Sequence, residues 1–218
     1  TRSPKTMIYY DIHTHHVPAT PDVVAIVNTL IGVDPAPDAL PDPLPLFRSV
    51  GIHPCYIYNV EEQLAELRRQ AVQPRVVAIG ETGLDKRAAT PLTQQMELFR
   101  VSADLSEKHN LPLIIHCVKA WDELIALRRT LRPRQTWIIH GFRGGAEQAC
   151  QLLRQGFLLS FGEHFHPDAV RAAYPDHLFA ETDERGADIH IVYARLADAL
   201  QLPLSALIAQ LACNVHTH

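Results

Sequence analysis

The sequence predicts a TIM barrel, that is, a compact (β/α)8 barrel of the α/β class. Eight short apolar runs recur along the chain, and from Asn59 onward an amphipathic helical pattern separates each run from the next. A parallel neighbour is reached only by crossing back over the sheet, so this alternation predicts parallel strands with right-handed connections. Eight such units are enough to close a barrel.

The predicted elements follow this alternation to the end of the chain. Strands are predicted at Met7–Ile12, Val23–Leu30, Phe47–Ile52, Val76–Ile79, Pro112–Ile115, Thr136–Ile139, Phe157–Phe161 and Leu178–Ala180. Helices are predicted at Val60–Gln70, Pro91–Asn110, Ala120–Leu131, Gly145–Gln155, Pro167–Tyr174, Ile189–Leu200 and Pro203–Ala212.

The length of 218 residues predicts a single domain, 1–218, that is short for its fold, since about 250 residues are typical. The shortening falls between the first and third strands, where closely spaced prolines exclude a helix interior. We expect the first outer helices to be replaced by an extended loop that contains Pro35, Pro37, Pro41, Pro43 and Pro45. Residues 1–6 are expected to form a loosely ordered N-terminal extension.

The composition restricts the partners. The 20 Lys and Arg residues against 24 Asp and Glu residues give a net charge of −4, with no basic stripe for a long polyanion. No apolar stretch approaches the roughly 18 residues of a membrane span, and residues 1–5 are polar, so we expect a cytoplasmic protein. No obligate protein partner is indicated. The widely spaced cysteines are expected to be reduced thiols: Cys55, Cys117, Cys150 and Cys213.

The first strand ends in the segment Asp11–His15, which contains His13 and His15. Residues i and i+2 of a strand point to the same face, so both imidazoles are expected to enter the same space and suit a divalent metal. An isolated His-x-His pair is weak evidence, because two surface histidines at a strand end have the same pattern.

Other strands end in the same kinds of residue. These strand ends are Val77–Glu81, Leu113–His116, Trp137–His140 and Phe179–Asp183. The carboxyl ends of all strands in a (β/α)8 barrel meet at one face, so these groups are predicted to come together there. Six potential ligands then share one mouth: His13, His15, Glu81, His116, His140 and Asp183.

These residues resemble the TatD-type metal-dependent hydrolases. The motifs that carry the resemblance are, in order, Asp11–His15, Gly51–Pro54, Gly80–Asp85, Ile115–Cys117, His140–Gly144 and Glu181–Asp183, and the tail around Asn214 is also similar. The resemblance implies a TIM barrel with two divalent metals and hydrolase activity, commonly on DNA phosphodiesters.

The resemblance also implies a role for each of the six residues. His13, His15 and Asp183 would bind the first metal, His116 and His140 the second, and Glu81 would bridge the two. A bridging Glu81 agrees with its chemistry, since a carboxylate can span two cations while neutral imidazoles serve as terminal ligands. Asp183 would also orient and deprotonate the attacking water. The metals are Zn, Mn, Ni, Fe or Mg.

A second set of residues is expected to contact the substrate or to support the ligands. His53, Asp85 and Glu181 lie at strand ends, and three cations lie close to the predicted mouth: Lys119, Arg143 and Arg185. All of these residues except His53 have a simpler alternative. Asp85 would cap a loop, Glu181 would be a hydrogen-bonded core carboxylate, and the cations would be solvated loop charges.

Three departures from the family pattern concern the substrate. Val118 stands where the family usually has an arginine that can hold a phosphate. Cys55 stands where many members have a histidine, and the loop after Asp183 is shortened at Glu184–Gly186. The resulting prediction is a metal-dependent phosphoesterase or nuclease that acts on a small or terminal phosphoester, including nucleic-acid ends, rather than on duplex DNA. The alternatives are ester or amide hydrolysis and a non-catalytic metal-binding descendant.

Overall fold

The computed structural model describes residues 6–35, 47–184 and 187–218, which form one eight-stranded parallel sheet. The strands pair in chain order, each with the next, as predicted. They are β1 (Tyr9–Thr14), β2 (Val23–Leu30), β3 (Phe47–Gly51), β4 (Val76–Asp85), β5 (Leu113–Val118), β6 (Trp137–Ile139), β7 (Leu158–Phe161) and β8 (Leu178–Ala180).

The barrel is nearly closed by a short contact between β1 and the segment after β8. The Asp183 amide donates to the His13 carbonyl at 2.9 Å, and the His15 amide donates to the Asp183 carbonyl at 3.4 Å. Below this bridge, the hydroxyl of Tyr193 accepts from the Tyr10 amide and donates to the Tyr10 carbonyl, both at 2.9 Å. A buried tyrosine side chain therefore satisfies the backbone of β1 where a strand partner would otherwise do so.

Seven helices in the described residues complete the α/β barrel. They are α1 (Val60–Ala71), α2 (Leu92–His109), α3 (Trp121–Leu131), α4 (Ala146–Arg154), α5 (Pro167–Ala173), α6 (Ile189–Leu200) and α7 (Leu204–Thr217). The predicted end of the last helix at Ala212 is wrong, since α7 continues for one more turn. The predicted end of the fourth strand at Ile79 is also wrong, because pairing with β5 continues β4 to Asp85.

No helix follows β1 or β2 in the described residues, which agrees with the predicted loss of the first outer helices. Residues 15–22 alone connect β1 to β2. Much of the predicted proline-rich loop lies outside the described residues, as do residues 1–5 of the predicted N-terminal extension. No single helix in the described part has the length and hydropathy of a membrane span. The pair α6 and α7 passes that test only together, across a bend of 106°.

The interior packs in two regions. A large apolar cluster fills the space between the strands and the outer helices, and it includes Trp137 between Phe99 and Phe157. A smaller cluster fills the inside of the barrel with side chains from four strands: Ile12, Ile138, Leu158 and Phe179. This inner layer lies below the strand ends and supports the polar side chains above it.

Helix α6 is attached to the chain before β2 by His190. Its Nε2 lies 2.8 Å from Asp22 Oδ2, its Nδ1 faces Asp188 Oδ1, and its ring packs on Tyr9 with centroids 4.4 Å apart. The Asp22 carboxylate, followed by Asp188, raises the pKa of His190. Hydrogen bonds from Thr20 and then from His190 lower the pKa of Asp22, and hydrogen bonds from the side chain and amide of His190 lower the pKa of Asp188.

We expect His190→Gln to destabilise the protein more at pH 5.5 than at pH 9. A raised histidine pKa gives stability that is complete below the unfolded value of about 6.5 and is lost as the pH rises through the folded value. The lowered carboxyl pKa values give stability that is lost only at acid pH. The measurement is the free energy of unfolding at both pH values, with His177→Gln on the exposed surface as control. Equal destabilisation at both pH values would contradict this ion-pair assignment.

Candidate metal centre

The end of β4 carries Glu81 into the barrel mouth, and two glycines allow this strand to approach β5 closely. A Cβ atom on Gly83 would overlap the His116 carbonyl oxygen, and one on Gly80 would lie 2.5 Å from the Ile114 carbonyl oxygen. Both glycines have positive φ, at 157° for Gly80 and 156° for Gly83, which side chains disfavour. The glycines of the Gly80–Asp85 motif therefore place Glu81 beside the histidine of the next strand.

Each carboxylate oxygen of Glu81 faces a different group of histidines. Oε2 lies 3.4 Å from His13 Nε2 and 3.9 Å from His15 Nε2. Oε1 lies 3.0 Å from His116 Nδ1, 2.7 Å from His140 Nε2 and 3.2 Å from His53 Nε2. The carboxylate thus lies between a first set of ligand-type residues, which includes His13 and His15, and a second set, which includes His116 and His140.

Asp183 completes the first set. Its Oδ1 lies 3.3 Å from His13 Nε2 and 3.5 Å from His15 Nε2. Asp183 adopts a left-handed backbone conformation, with φ of 58°, which aspartate tolerates better than most residues. The Asp183 side chain is 37% exposed, whereas that of Glu81 is 5% exposed, so Asp183 is the carboxylate that water can reach.

The geometry of the first set fits a metal ion better than a hydrogen-bond network. The buried Nε2 atoms of His13 and His15 have no hydrogen-bond partner in the described residues. Their separations of 3.3–3.5 Å from Asp183 Oδ1 are close to the roughly 3.4 Å expected between neighbouring ligands around a tetrahedral ion with 2.0–2.1 Å bonds. Ligand-type atoms also lie within 4.8 Å of one another in the second set, Glu81, His116 and His140.

The charges in the cluster are complementary. Burial disfavours an ionised Glu81, yet the surrounding imidazoles of His140, His116 and His13 hold its pKa well below the usual range. Burial and the neighbouring His140 disfavour a charged His13, but Asp183 and Glu81 outweigh them and raise its pKa to about 9. The carboxylates are therefore anionic and attract positive charge to the histidine nitrogens, where a divalent cation would also be stabilised.

Two further carboxylates hold the histidines from behind. Asp85 Oδ2 lies 2.8 Å from His116 Nε2, and Glu181 Oε2 lies 3.1 Å from His140 Nδ1. Both carboxylates are buried, and Glu181 also accepts from the Gly141 amide. Such contacts orient an imidazole and increase its basicity. Asp85 additionally accepts from the Arg87 amide, so its carboxylate contacts both the His116 ring and the backbone of the following loop.

Asp11 holds the joint between β1 and the segment after β8. Its carboxylate accepts from the Thr182 hydroxyl at 2.6 Å and from the amides of Thr182 and His13. Burial raises the pKa of Asp11 to about 7, while the hydrogen bonds from Thr182 oppose that rise. Asp11 is the first residue of the Asp11–His15 motif, but the sequence analysis assigned no role to it.

An open cleft of about 450 Å³ lies in front of the second set. Its walls contain three cations, Arg87, Lys119 and Arg143, together with His53 and aromatic side chains from Tyr56, Trp121 and Phe142. Of the predicted substrate contacts, His53, Lys119 and Arg143 therefore line the cleft, while Arg185 lies outside the described residues. The sequence analysis did not identify Arg87 or Tyr56, and Trp121, which packs against the large apolar cluster, also lines this cleft.

The departures from the family pattern lie around the same cleft. Val118 lines its wall and pairs in register with Asp85 across β4 and β5. Cys55 is a free thiol, like the other three cysteines, and its Sγ lies 3.5 Å from Asp85 Oδ2. His164 lines an adjoining pocket of about 210 Å³, which shares Arg143 and Asp183 with the cleft.

A (β/α)8 barrel that gathers histidines and carboxylates at the carboxyl ends of its strands has the architecture of a metal-dependent hydrolase. The chain belongs to the TatD family: its residues 41–215 match the family described as TatD related DNase.

Comparison with known proteins agrees with this assignment. The chain is 34% identical to the uncharacterized metal-dependent hydrolase YabD of Bacillus subtilis over 54% of its length and 47% of that protein. It is 32% identical to the uncharacterized metal-dependent hydrolase YcfH of Escherichia coli K12 over 73% of its length and 63% of that protein. The 3'-5' ssDNA/RNA exonuclease TatD of Erwinia tasmaniensis is 31% identical over 51% of this chain and 44% of that protein. The chain spans about half the length of most of these relatives.

The crystal structure of the TatD homologue YjjV of Escherichia coli K12 has the same fold. The TM-score is 0.79 at 23% sequence identity, and the match covers 97% of this chain and 98% of that chain. The barrel with its strand order is therefore shared with an experimental structure.

We expect Glu81→Ala to remove metal from both sets of ligands, while His116→Ala removes mainly one ion. A carboxylate with one oxygen toward each set serves both, whereas His116 Nδ1 faces only Oε1 of Glu81. The measurement is metal content per chain after purification, with His109→Ala in the last turn of α2 as control. Unchanged metal content in Glu81→Ala would show that Glu81 does not bridge two ions.

Proposed function

We propose that this protein is a two-metal-dependent phosphoesterase. The observation that carries the proposal is that the two oxygens of the Glu81 carboxylate face different histidine sets. Oε2 lies 3.4 Å from His13 Nε2 in the first set, and Oε1 lies 2.7 Å from His140 Nε2 in the second. His13, His15 and Asp183 would hold one ion, His116 and His140 the other, and Glu81 both. Two bound ions lower the pKa of a trapped water and stabilise negative charge on the phosphoryl oxygens.

The residues of the chain supply the remaining parts of the reaction. Asp183 would orient the attacking water and accept its proton, since it is the exposed carboxylate of the cluster. Asp85 and Glu181 would hold His116 and His140 in position through the second ring nitrogen of each. Tyr56, Trp121 and Phe142 would restrict the substrate to the cleft in front of the second set.

The proposed substrate is a small or terminal phosphoester, including the end of a nucleic-acid strand. The net charge of −4 gives little affinity from counterion release, which is the main source of nonspecific duplex binding. The cations at the cleft are few and local, which suits one or two phosphate groups. A relative whose name describes an exonuclease on single-stranded DNA and RNA supports a reaction at strand ends. A cytoplasmic location is part of the same proposal.

A substrate panel on the metal-replete protein tests the proposal. Hydrolysis of single-stranded nucleic-acid ends or phosphomonoesters is expected, with little activity on aminoacyl esters or amides. Preferred hydrolysis of carboxylic esters or amides would favour the first alternative, and full metal content without any turnover would favour a non-catalytic metal-binding protein. Salt-sensitive binding and processive cleavage of internal duplex DNA would overturn the proposed substrate class.

We expect Asp183→Asn to reduce turnover by roughly 10²–10⁴-fold, which is the usual effect of losing a general base. The amide keeps the shape of the side chain but cannot accept a proton, so the KM should change much less than kcat. The measurement is steady-state kinetics together with metal content, and Asp104→Asn on the exposed face of α2 is the matched control. Near-normal turnover with metal still bound would exclude Asp183 from proton transfer.

A further inference from the structure

Arg87 lies immediately beyond the strand end that carries Asp85, at the wall of the cleft. The Lys86 amide still donates to the Val118 carbonyl at 3.2 Å, so β4 and β5 remain together up to the residue before Arg87. Arg87 therefore directly follows a residue that is hydrogen-bonded to Val118, the position where the family pattern has its arginine. Both residues line the same cleft.

The position of Arg87 is fixed by Asp85 at both the backbone and the side chain. The Arg87 amide donates to Asp85 Oδ1 at 2.8 Å, and the guanidinium donates through Nε to Oδ1 at 3.1 Å and through Nη2 to Oδ2 at 2.9 Å. Asp85 is fully buried, whereas the Arg87 side chain is 61% exposed. A planar guanidinium that is already held along one edge loses less conformational entropy when its other edge binds a ligand.

The guanidinium lies beside the second set of ligands. Asp85 Oδ2 contacts Arg87 Nη2 at 2.9 Å and His116 Nε2 at 2.8 Å, so one oxygen atom joins the cation to an imidazole of the cluster. The pairing with Asp85 uses two of the five N–H groups of the guanidinium, which leaves Nη1 and one hydrogen of Nη2 for another acceptor. Phosphate oxygens match this fork geometry.

Neighbouring Lys86 has a different environment. Its Nζ pairs with Glu123 on α3 at 2.6 Å, and Lys86 is absent from the cleft wall. Two adjacent cations of the chain therefore have different surroundings, since Arg87 lines the cleft and Lys86 pairs with a carboxylate of the outer helix α3. This difference provides a charge-matched control.

We propose that Arg87 binds the non-bridging oxygens of the substrate phosphate and replaces, from the end of β4, the arginine that β5 lacks at Val118. This inference rests on the proposed phosphoesterase function and extends it by naming a residue that determines the preference for a phosphate group. It also explains how the cleft retains an anion-binding guanidinium although Val118 occupies the position of the family arginine.

The test measures the binding of inorganic phosphate to the purified protein by titration calorimetry, with metal content determined for each sample. Arg87→Met is expected to weaken phosphate binding by roughly 10-fold or more, as for loss of charged hydrogen bonds, and Arg87→Lys should restore only part of it. Lys86→Met removes the same charge outside the cleft and should change the dissociation constant by less than about twofold. All variants are expected to keep the metal content of the parent protein.

Two results would overturn the role of Arg87. Equal effects of Arg87→Met and Lys86→Met would show a nonspecific charge effect, and loss of metal in Arg87→Met would show that Arg87 acts only by holding Asp85 and His116. Turnover separates this inference from the proposed function. If the parent protein hydrolyses phosphoesters while phosphate binding is unchanged in Arg87→Met, the function stands and the Arg87 assignment fails. If Arg87→Met loses phosphate binding but the parent hydrolyses no phosphoester, Arg87 binds a phosphate group, but the proposed function fails and with it the assignment to a substrate phosphate.

Discussion

The arrangement of the barrel mouth depends on the buried carboxylate of Glu81. A carboxylate removed from water is strongly unfavourable unless positive or hydrogen-bonding groups surround it. Here the surrounding groups are imidazoles that come from the ends of four different strands, and all lie within 3.9 Å of its two oxygens. The strands must therefore end at the same height, and a shift of register in any one of them would leave Glu81 poorly compensated. The position of one charge thus constrains the alignment of five of the eight strands, namely β4 and the four strands that supply the imidazoles.

On the β1 side, the same residue, Asp183, both closes the barrel and contributes to the histidine cluster. The backbone of Asp183 forms the bridge to β1, while its side chain faces the two histidines of that strand. The left-handed conformation of Asp183, which is of order 1–3 kcal/mol unfavourable for a residue other than glycine, allows both contacts at once. Asp11 and Thr182 hold the joint from inside. Strain at this residue is thus balanced by the contacts that complete the site.

The sequence predicted the strands and the convergent residues because both follow from local pattern and fold topology. Eight apolar runs gave the eight strands, and the rule that parallel strand ends meet at one face brought residues 13 to 183 together. The extension of β4 to Asp85 was not predicted, because Gly80 and Gly83 are unfavourable in an isolated strand and are tolerated only where β5 approaches. The hydroxyl of Tyr193 at the backbone of Tyr10 could not be predicted, since this pairing depends on the placement of α6.

The shortened outer layer and the retained site are compatible because they concern different parts of the barrel. Helices after β1 and β2, which the described ranges 6–35 and 47–184 do not contain, would cover the outer surface of the first strands, whereas the clustered residues lie at the carboxyl ends of the strands. Helix α6 supplies part of the lost cover, since Tyr193 binds the backbone of β1 and His190 packs on Tyr9. The inner apolar layer of Ile12, Ile138, Leu158 and Phe179 supports the strand ends from below without any contribution from those helices. The clustered residues at the strand ends therefore depend on the inner layer and on the strands themselves, and not on outer helices of the kind that the described residues lack after β1 and β2.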